Sequence, residues 1–375
     1  MLLVLTAGNA LLLPAQQPDS GGGKLNVDAR EFDVPVVVHD KKGSLVQNLT
    51  KDNFTLQVDG HPQTIQSFQL DPDLPLTVGL LIDSNIGQAG TLDDVRIASA
   101  AFLDDMLTGS ADRDKAFVVQ FARQTDLLQD VTSSKAKLRD ALKQLNTSGS
   151  RGRSGDTSSV SAPGDSDSAR GRQGGTTLYD AMFLSSDEVI GKQRGRKALI
   201  VVSDGVDSGS RESLTSTTEA VQRADTVVYA IYFKGKDPDR GFHVGSGDDG
   251  GGYPGDPNGY PGGGYPGGGY PGGGYPGGQR RQPQGIPLPD GKKILEHVAK
   301  ETGGRLFEVS KRQTIADIYK QIGEELRAQY RLAFTSDEKR VSDGYHRIDL
   351  SLTKSGPKDL SIQTREGYYT GQETP

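Results

Sequence analysis

Val78-Gly79-Leu80-Leu81-Ile82-Asp83-Ser84-Asn85-Ile86-Gly87 is an apolar run that leads into a carboxylate, and Leu199-Ile200-Val201-Val202-Ser203-Asp204-Gly205 repeats the arrangement later in the chain. Runs of this kind describe buried parallel strands that deliver an oxygen ligand at their carboxyl ends. Gly79 weakens the first strand only slightly. In an open α/β sheet that edge is where ligands bind. Between the two runs lies Gly174-Gly175-Thr176-Thr177-Leu178-Tyr179-Asp180-Ala181, which puts Thr176 in a loop at the start of a helical pattern.

Working outward, the pattern predicts strands over 77–83, 115–122, 197–203, 226–233 and 305–309. Helices are predicted over 91–107, 134–146, 177–191, 210–224, 290–302 and 314–328. This alternation implies a doubly wound, mostly parallel sheet with helices on both faces, spanning 75–328, in which the strands of Asp83 and Asp204 lie side by side. Segment 24–72 reads as β structure, with Asp59-Gly60 as a hairpin turn. Segment 329–371 reads as β structure again. Each flank has too few strands for an independent sheet, so the two are expected to pack into one small β-sandwich with the α/β unit inserted between them.

Two segments interrupt the α/β pattern. Residues 147–173 are rich in Ser, Gly, Asp and Arg, and 235–289 carry Tyr-Pro-Gly-Gly-Gly with Tyr260, Tyr265, Tyr270 and Tyr275 at a regular period. Neither can bury enough apolar surface to offset its ordering entropy, so disordered spacers are expected.

The ordered set of strand-Asp, Thr and strand-Asp-Gly resembles the von Willebrand factor type A domain and its metal-ion-dependent adhesion site, whose pattern is D-x-S-x-S, then T, then D. Asp83, Thr176 and Asp204 fall on the Asp, Thr and Asp of that pattern, while Asn85 and Gly87 replace its two serines. The flanking strands and the tail Tyr330-Arg331-Leu332, Asp343-Gly344-Tyr345-His346-Arg347-Ile348 and Arg365-Glu366-Gly367-Tyr368-Tyr369 resemble von Willebrand factor A-related proteins of acidobacteria. The resemblance implies a weakly held Mg²⁺ or Mn²⁺ on Asp83, Asn85, Thr176 and Asp204, because hard cations take carboxylates, hydroxyls and waters. It also implies an open coordination position that accepts an acidic side chain from a partner protein. The alternative is that both aspartates only satisfy backbone N–H groups at strand and helix ends.

Composition narrows the remaining classes. The chain has 375 residues, a net charge of −6 and no basic stripe interleaved with aromatics, which argues against nucleic acid as a partner. Cys is absent, and His39, His61, His243, His297 and His346 are scattered without ligand spacing, so neither a disulfide framework nor a zinc site is expected. No P-loop or glycine-rich dinucleotide fingerprint follows any strand. Beside Asp83 and Asp204 no Lys, His or further carboxylate stands at motif spacing, so a metal-dependent hydrolase is disfavoured and no enzyme is expected. Residues 1–17 have the apolar length of a signal peptide, though no Lys or Arg precedes the run. Nothing later is apolar enough to span a bilayer. The expectation is a secreted or envelope-associated protein-binding module, with a metal-independent assembly scaffold as the alternative.

Overall fold

The computed structural model describes residues 30–70, 74–85, 89–107, 113–146, 176–234, 290–336, 344–353 and 359–371. The signal-peptide expectation over 1–17 and the spacer expectations over 147–173 and 235–289 therefore lie outside the described residues. The chain enters through β1 (Arg30–His39), β2 (Phe54–Val58), β3 (His61–Gln63) and β4 (Ile65–Leu70). It continues through β5 (Leu76–Asp83), α1 (Ala89–Met106), β6 (Lys115–Phe121), β7 (Thr125–Thr132) and α2 (Lys135–Lys143). Then come α3 (Leu178–Leu184), β8 (Arg196–Ser203), α4 (Leu214–Arg223), β9 (Val227–Tyr232), α5 (Gly291–Glu301), β10 (Leu306–Glu308) and α6 (Ile315–Arg327). The last strands are β11 (Tyr330–Ser336), β12 (Gly344–Leu352), β13 (Ser361–Thr364) and β14 (Gly367–Thr370).

The central sheet runs β10-β9-β8-β5-β6-β7, parallel except for β7. Every residue of β5 is buried, as a strand covered on both faces requires. Its period of two sends Leu76, Val78, Leu80 and Ile82 into one core with α1, α2 and α6. Leu81 faces the other core, which is shared with α3 and α5. Each Leu or Ile so buried contributes roughly 1.5–3 kcal/mol. Gly79 has a packing reason: a Cβ there would overlap the Phe117 ring from β6 and come within 2.6 Å of Leu199 Cδ2.

Strands from both ends of the chain form two further four-stranded sheets, β13-β1-β11-β4 and β14-β12-β2-β3. Their facing surfaces share Phe32, Val34, Leu56, Tyr330, Phe334 and Tyr368 as one core, a β-sandwich with the α/β unit inserted in it. Asp59 and Gly60 have φ of 51° and 77°, the left-handed pair that a tight hairpin between β2 and β3 needs. The sandwich docks on the carboxyl end of α5. Arg365, 4% exposed, donates to Asp225 Oδ1 at 2.7 Å and to the Asp33 carbonyl at 2.6 Å, and Glu366 N donates to the Glu301 carbonyl at 3.2 Å.

Three local expectations are corrected. The sequence reading places no strand over 125–132, yet β7 pairs antiparallel with β6 at the sheet edge. Its register slips twice against β6 and its burial is only partial, so the apolar run that announces the inner strands is missing. The helix expected over 210–224 starts at Leu214, because the Ser213 hydroxyl caps it by accepting from Ser216 N at 3.1 Å. The helix expected over 177–191 is α-helical only to Leu184 and π-helical over Ser185–Ile190, with Gly191 N donating to the Ser186 carbonyl at 2.9 Å.

Candidate metal and ligand site

β5 and β8 are paired in parallel with Ile82 opposite Val202, so Asp83 closes one strand and Asp204 follows the end of its neighbour. They stand where the chain winds away in opposite directions, toward β6 from one strand and toward β9 from the other. Each carboxylate first satisfies its own turn. Asp83 Oδ1 accepts from Asn85 N at 2.8 Å, and Asp204 Oδ1 accepts from Val206 N at 3.0 Å.

Ser203, which the sequence reading overlooked, ties the two turns together. Its buried hydroxyl donates to Asp83 Oδ2 at 2.9 Å and accepts from Gly205 N at 3.0 Å. Its position directly before Asp204 was the available signal, because a hydroxyl inside an apolar strand needs a partner. Ser84 points away from this edge toward β6, and both its N–H and its hydroxyl donate to the Phe121 carbonyl, at 2.9 and 3.4 Å.

Thr176 and Asn85 are brought together, with Asn85 Nδ2 donating to Thr176 Oγ1 at 3.3 Å. The threonine loop is fastened on two sides. Thr177 N donates to the Ala122 carbonyl at 2.7 Å, and Ser208 N and Gly209 N both donate to the Thr176 carbonyl at 3.1 Å. Asp180, in the first turn of α3, serves the neighbouring loop: its Oδ1 accepts from Arg211 N and Glu212 N, both at 2.9 Å. The helix start is served instead by Asp207, which accepts from Tyr179 N at 3.2 Å, and Ser210, which accepts from Asp180 N at 3.0 Å. Gly87 lies outside the described residues.

Burial pushes the Asp83 carboxyl up to about 7; the Asn85 N–H and the Ser203 hydroxyl oppose the shift, and the charge of Asp204 adds to it. Burial likewise raises Asp204, against the Val206 N–H. Two adjacent carboxylates that resist ionising together are a donor set that a cation would relieve. Each Asp83 oxygen keeps a second lone pair, and half a turn of the Asn85 amide would present its carbonyl beside Thr176 Oγ1. The residues thus fit a hard divalent ion in ligand type. Among the described residues no cluster of three or more His, Cys, Asp or Glu is suited to a metal, so the carboxylate contribution is limited to two.

The strand order with its antiparallel edge and the helices on both faces make a doubly wound, mostly parallel α/β fold like that of von Willebrand factor A domains, with two aspartates at adjacent strand ends. No protein-family model matches the chain, and none of the curated proteins is detectably similar to it in sequence. Similar solved structures include BatB of Bacteroides thetaiotaomicron, at 14% identity over 67% of this chain and 97% of that one, with a TM-score of 0.39. Another is proximal thread matrix protein 1 of the mussel byssus, solved with a zinc-occupied MIDAS motif, at 15% identity over 71% of this chain and 49% of that one, TM-score 0.41. The vWF domain of the type V pili tip protein Mfa5 from Porphyromonas gingivalis shares 17% identity over 36% of this chain and 39% of that one, TM-score 0.27. Among the described residues no helix is long and apolar enough to cross a membrane.

Proposed function

We propose that this chain is a protein-capture module of the cell envelope or exterior, without enzymatic activity, whose ligand edge holds a divalent cation. Asp83 and Asp204 would neutralise the ion, Asn85 and Thr176 would complete the protein ligands, and waters would fill the rest, as Mg²⁺ and Mn²⁺ prefer. An acidic side chain of the partner would replace one water. The observation that supports this reading is that Asp83 and Asp204 close neighbouring parallel strands, with Asn85 linked to Asp83 at 2.8 Å and to Thr176 at 3.3 Å. Titration calorimetry of the full chain with MgCl₂ and MnCl₂ tests it, with Asp204→Ala as the control. Heat that saturates in the native chain and vanishes in the variant supports the cation; no heat in either rejects it.

A metal-independent scaffold is the second reading, and one observation favours it. Both Asp83 oxygens already accept hydrogen bonds from the chain, and its carboxyl keeps a proton to about pH 7. Under that reading the edge is complete without an ion, and partner capture continues in chelator.

A further inference from the structure

A groove of about 490 Å³ opens next to the threonine loop, with Thr177 in its lining. Arg123 reaches it from the turn between β6 and β7, and Arg211 from the loop ahead of α4. Phe183 and Leu184 of α3 line it, Phe183 half-buried and Leu184 44% exposed, so the groove has an apolar floor open to solvent. Thr177 forms the wall shared with the candidate site, since Thr176 is its neighbour.

The charges in the groove are unequal in what they have to do. Asp180 is engaged by the N–H groups of Arg211 and Glu212, and Glu212 Oε2 accepts from the Ser216 hydroxyl at 2.8 Å. The guanidiniums of Arg123 and Arg211 have neither an ion pair nor a hydrogen bond among the described residues. Two unengaged planar cations beside an exposed apolar surface are complementary to carboxylates that flank an apolar side chain, because guanidinium takes a carboxylate through two parallel hydrogen bonds. The net charge of −6 and the two carboxylates on the same walls weigh against a polyanion such as nucleic acid.

We propose that this groove selects the partner, and that its occupant is a segment of a partner protein presenting an apolar side chain between two carboxylates. The apolar group would cover Leu184 and Phe183 while the carboxylates meet Arg123 and Arg211. The inference rests on the protein-capture reading but not on its cation.

A phage-displayed library of short random peptides, selected on the full chain once in chelator and once in excess Mg²⁺, tests it. The expected result is enrichment, under both conditions, of sequences with Asp or Glu on either side of Leu, Ile or Phe. A synthetic peptide from that selection should bind at least about tenfold more weakly to the Arg123→Ala, Arg211→Ala double variant, and more weakly again to Arg123→Glu, Arg211→Glu. Both arginines are exposed, so the melting temperature and the Mg²⁺ heat should match those of the native chain. No enrichment, enrichment without acidic residues, or unchanged affinity in both double variants would overturn the groove. Peptide binding with no Mg²⁺ heat would remove the cation and leave the groove; Mg²⁺ heat with no peptide binding would do the reverse.

Discussion

Gly205 and Gly291 pack backbone against backbone, so closely that a methyl group on either would overlap the main chain of the other segment. Gly205 also sits at φ +76°, where a side chain is strained whatever the space. This contact fixes the turn after Asp204 against the start of α5, whose far end carries the sandwich through Glu301 and Glu366. One helix thus joins the candidate site to the interface between the two folded parts.

Gly205→Ala is therefore expected to destabilise the chain by about 2–4 kcal/mol, the sum of a left-handed backbone penalty and a backbone overlap that no rotamer relieves. Urea unfolding measures it. A loss below about 0.5 kcal/mol would show that the two segments separate easily.

Asp83 makes stability depend on pH in a direction opposite to that of ordinary carboxylates. Its proton is held to about 7 in the folded chain against 3.8 for the free group, so between those values the folded state binds more protons than the unfolded one. Stability then falls as pH rises through this window, by up to about 4 kcal/mol, and the full loss is present above it. Asp204 is shifted in the same direction. Carboxylates with lowered values, such as Asp59 and Glu366, titrate on the acid side and do not mask the trend. In chelator the melting temperature should fall from about pH 5 to about pH 8, and Asp83→Asn should flatten the fall. Under the cation reading, excess Mg²⁺ restores stability most at the alkaline end, where the carboxylate is ionised. A melting temperature that rises over this range in chelator contradicts the assignment.

The inner strands were legible in the sequence because burial on both faces leaves a continuous apolar run, as in Leu199 to Val202. The sandwich was legible through period-two patterns such as Phe54, Leu56 and Val58 and through the Asp59-Gly60 turn. Strand β7 was not, since an edge strand with partial burial carries no such run. At the site, strand ends fix Asp83 and Asp204, and sequence reading reaches them. Ser203 announces only that a hydroxyl in an apolar strand needs a partner, since that partner, Asp83, lies 120 residues away; the reciprocal capping between Asp180 and the 207–212 loop spans about thirty residues, as from Arg211 N to Asp180, and no local pattern announces it.

The docking of the sandwich rests on a buried cation. Arg365 is 4% exposed, and two of its hydrogen-bond partners, Asp225 and the Asp33 carbonyl, come from different parts of the fold. Arg365→Ala removes the charge and leaves the carbonyl and a gap behind, at a cost of about 2–4 kcal/mol. Asp225→Asn, at the exposed end of the pair, should cost about 1 kcal/mol or less. Denaturant unfolding of both variants separates the contributions. Equal, small effects would show that the interface is held by its apolar contacts instead.

The last prediction concerns the ligand that the sequence lacks. Asn85 offers Thr176 an N–H group where the resembled adhesion-site pattern has a hydroxyl, and an N–H donor cannot bind a cation. Asn85→Ser shortens the side chain, frees Thr176 Oγ1 from the amide and supplies an oxygen close to the backbone turn that Asp83 already holds through Asn85 N. If the edge holds Mg²⁺, this variant should bind it more tightly than the native chain, by about threefold to tenfold, because one oxygen ligand no longer has to be gained by rotating an amide. Mg²⁺ titration by calorimetry reads the change, and the rise in melting temperature at saturating Mg²⁺ should grow with it. Asn85→Ala frees the same hydroxyl without supplying an oxygen, so it should bind no better than the native chain. Equal Mg²⁺ affinity in the serine and alanine variants would mean that position 85 does not face the ion, and no Mg²⁺ binding in any of the three would leave the scaffold reading in its place.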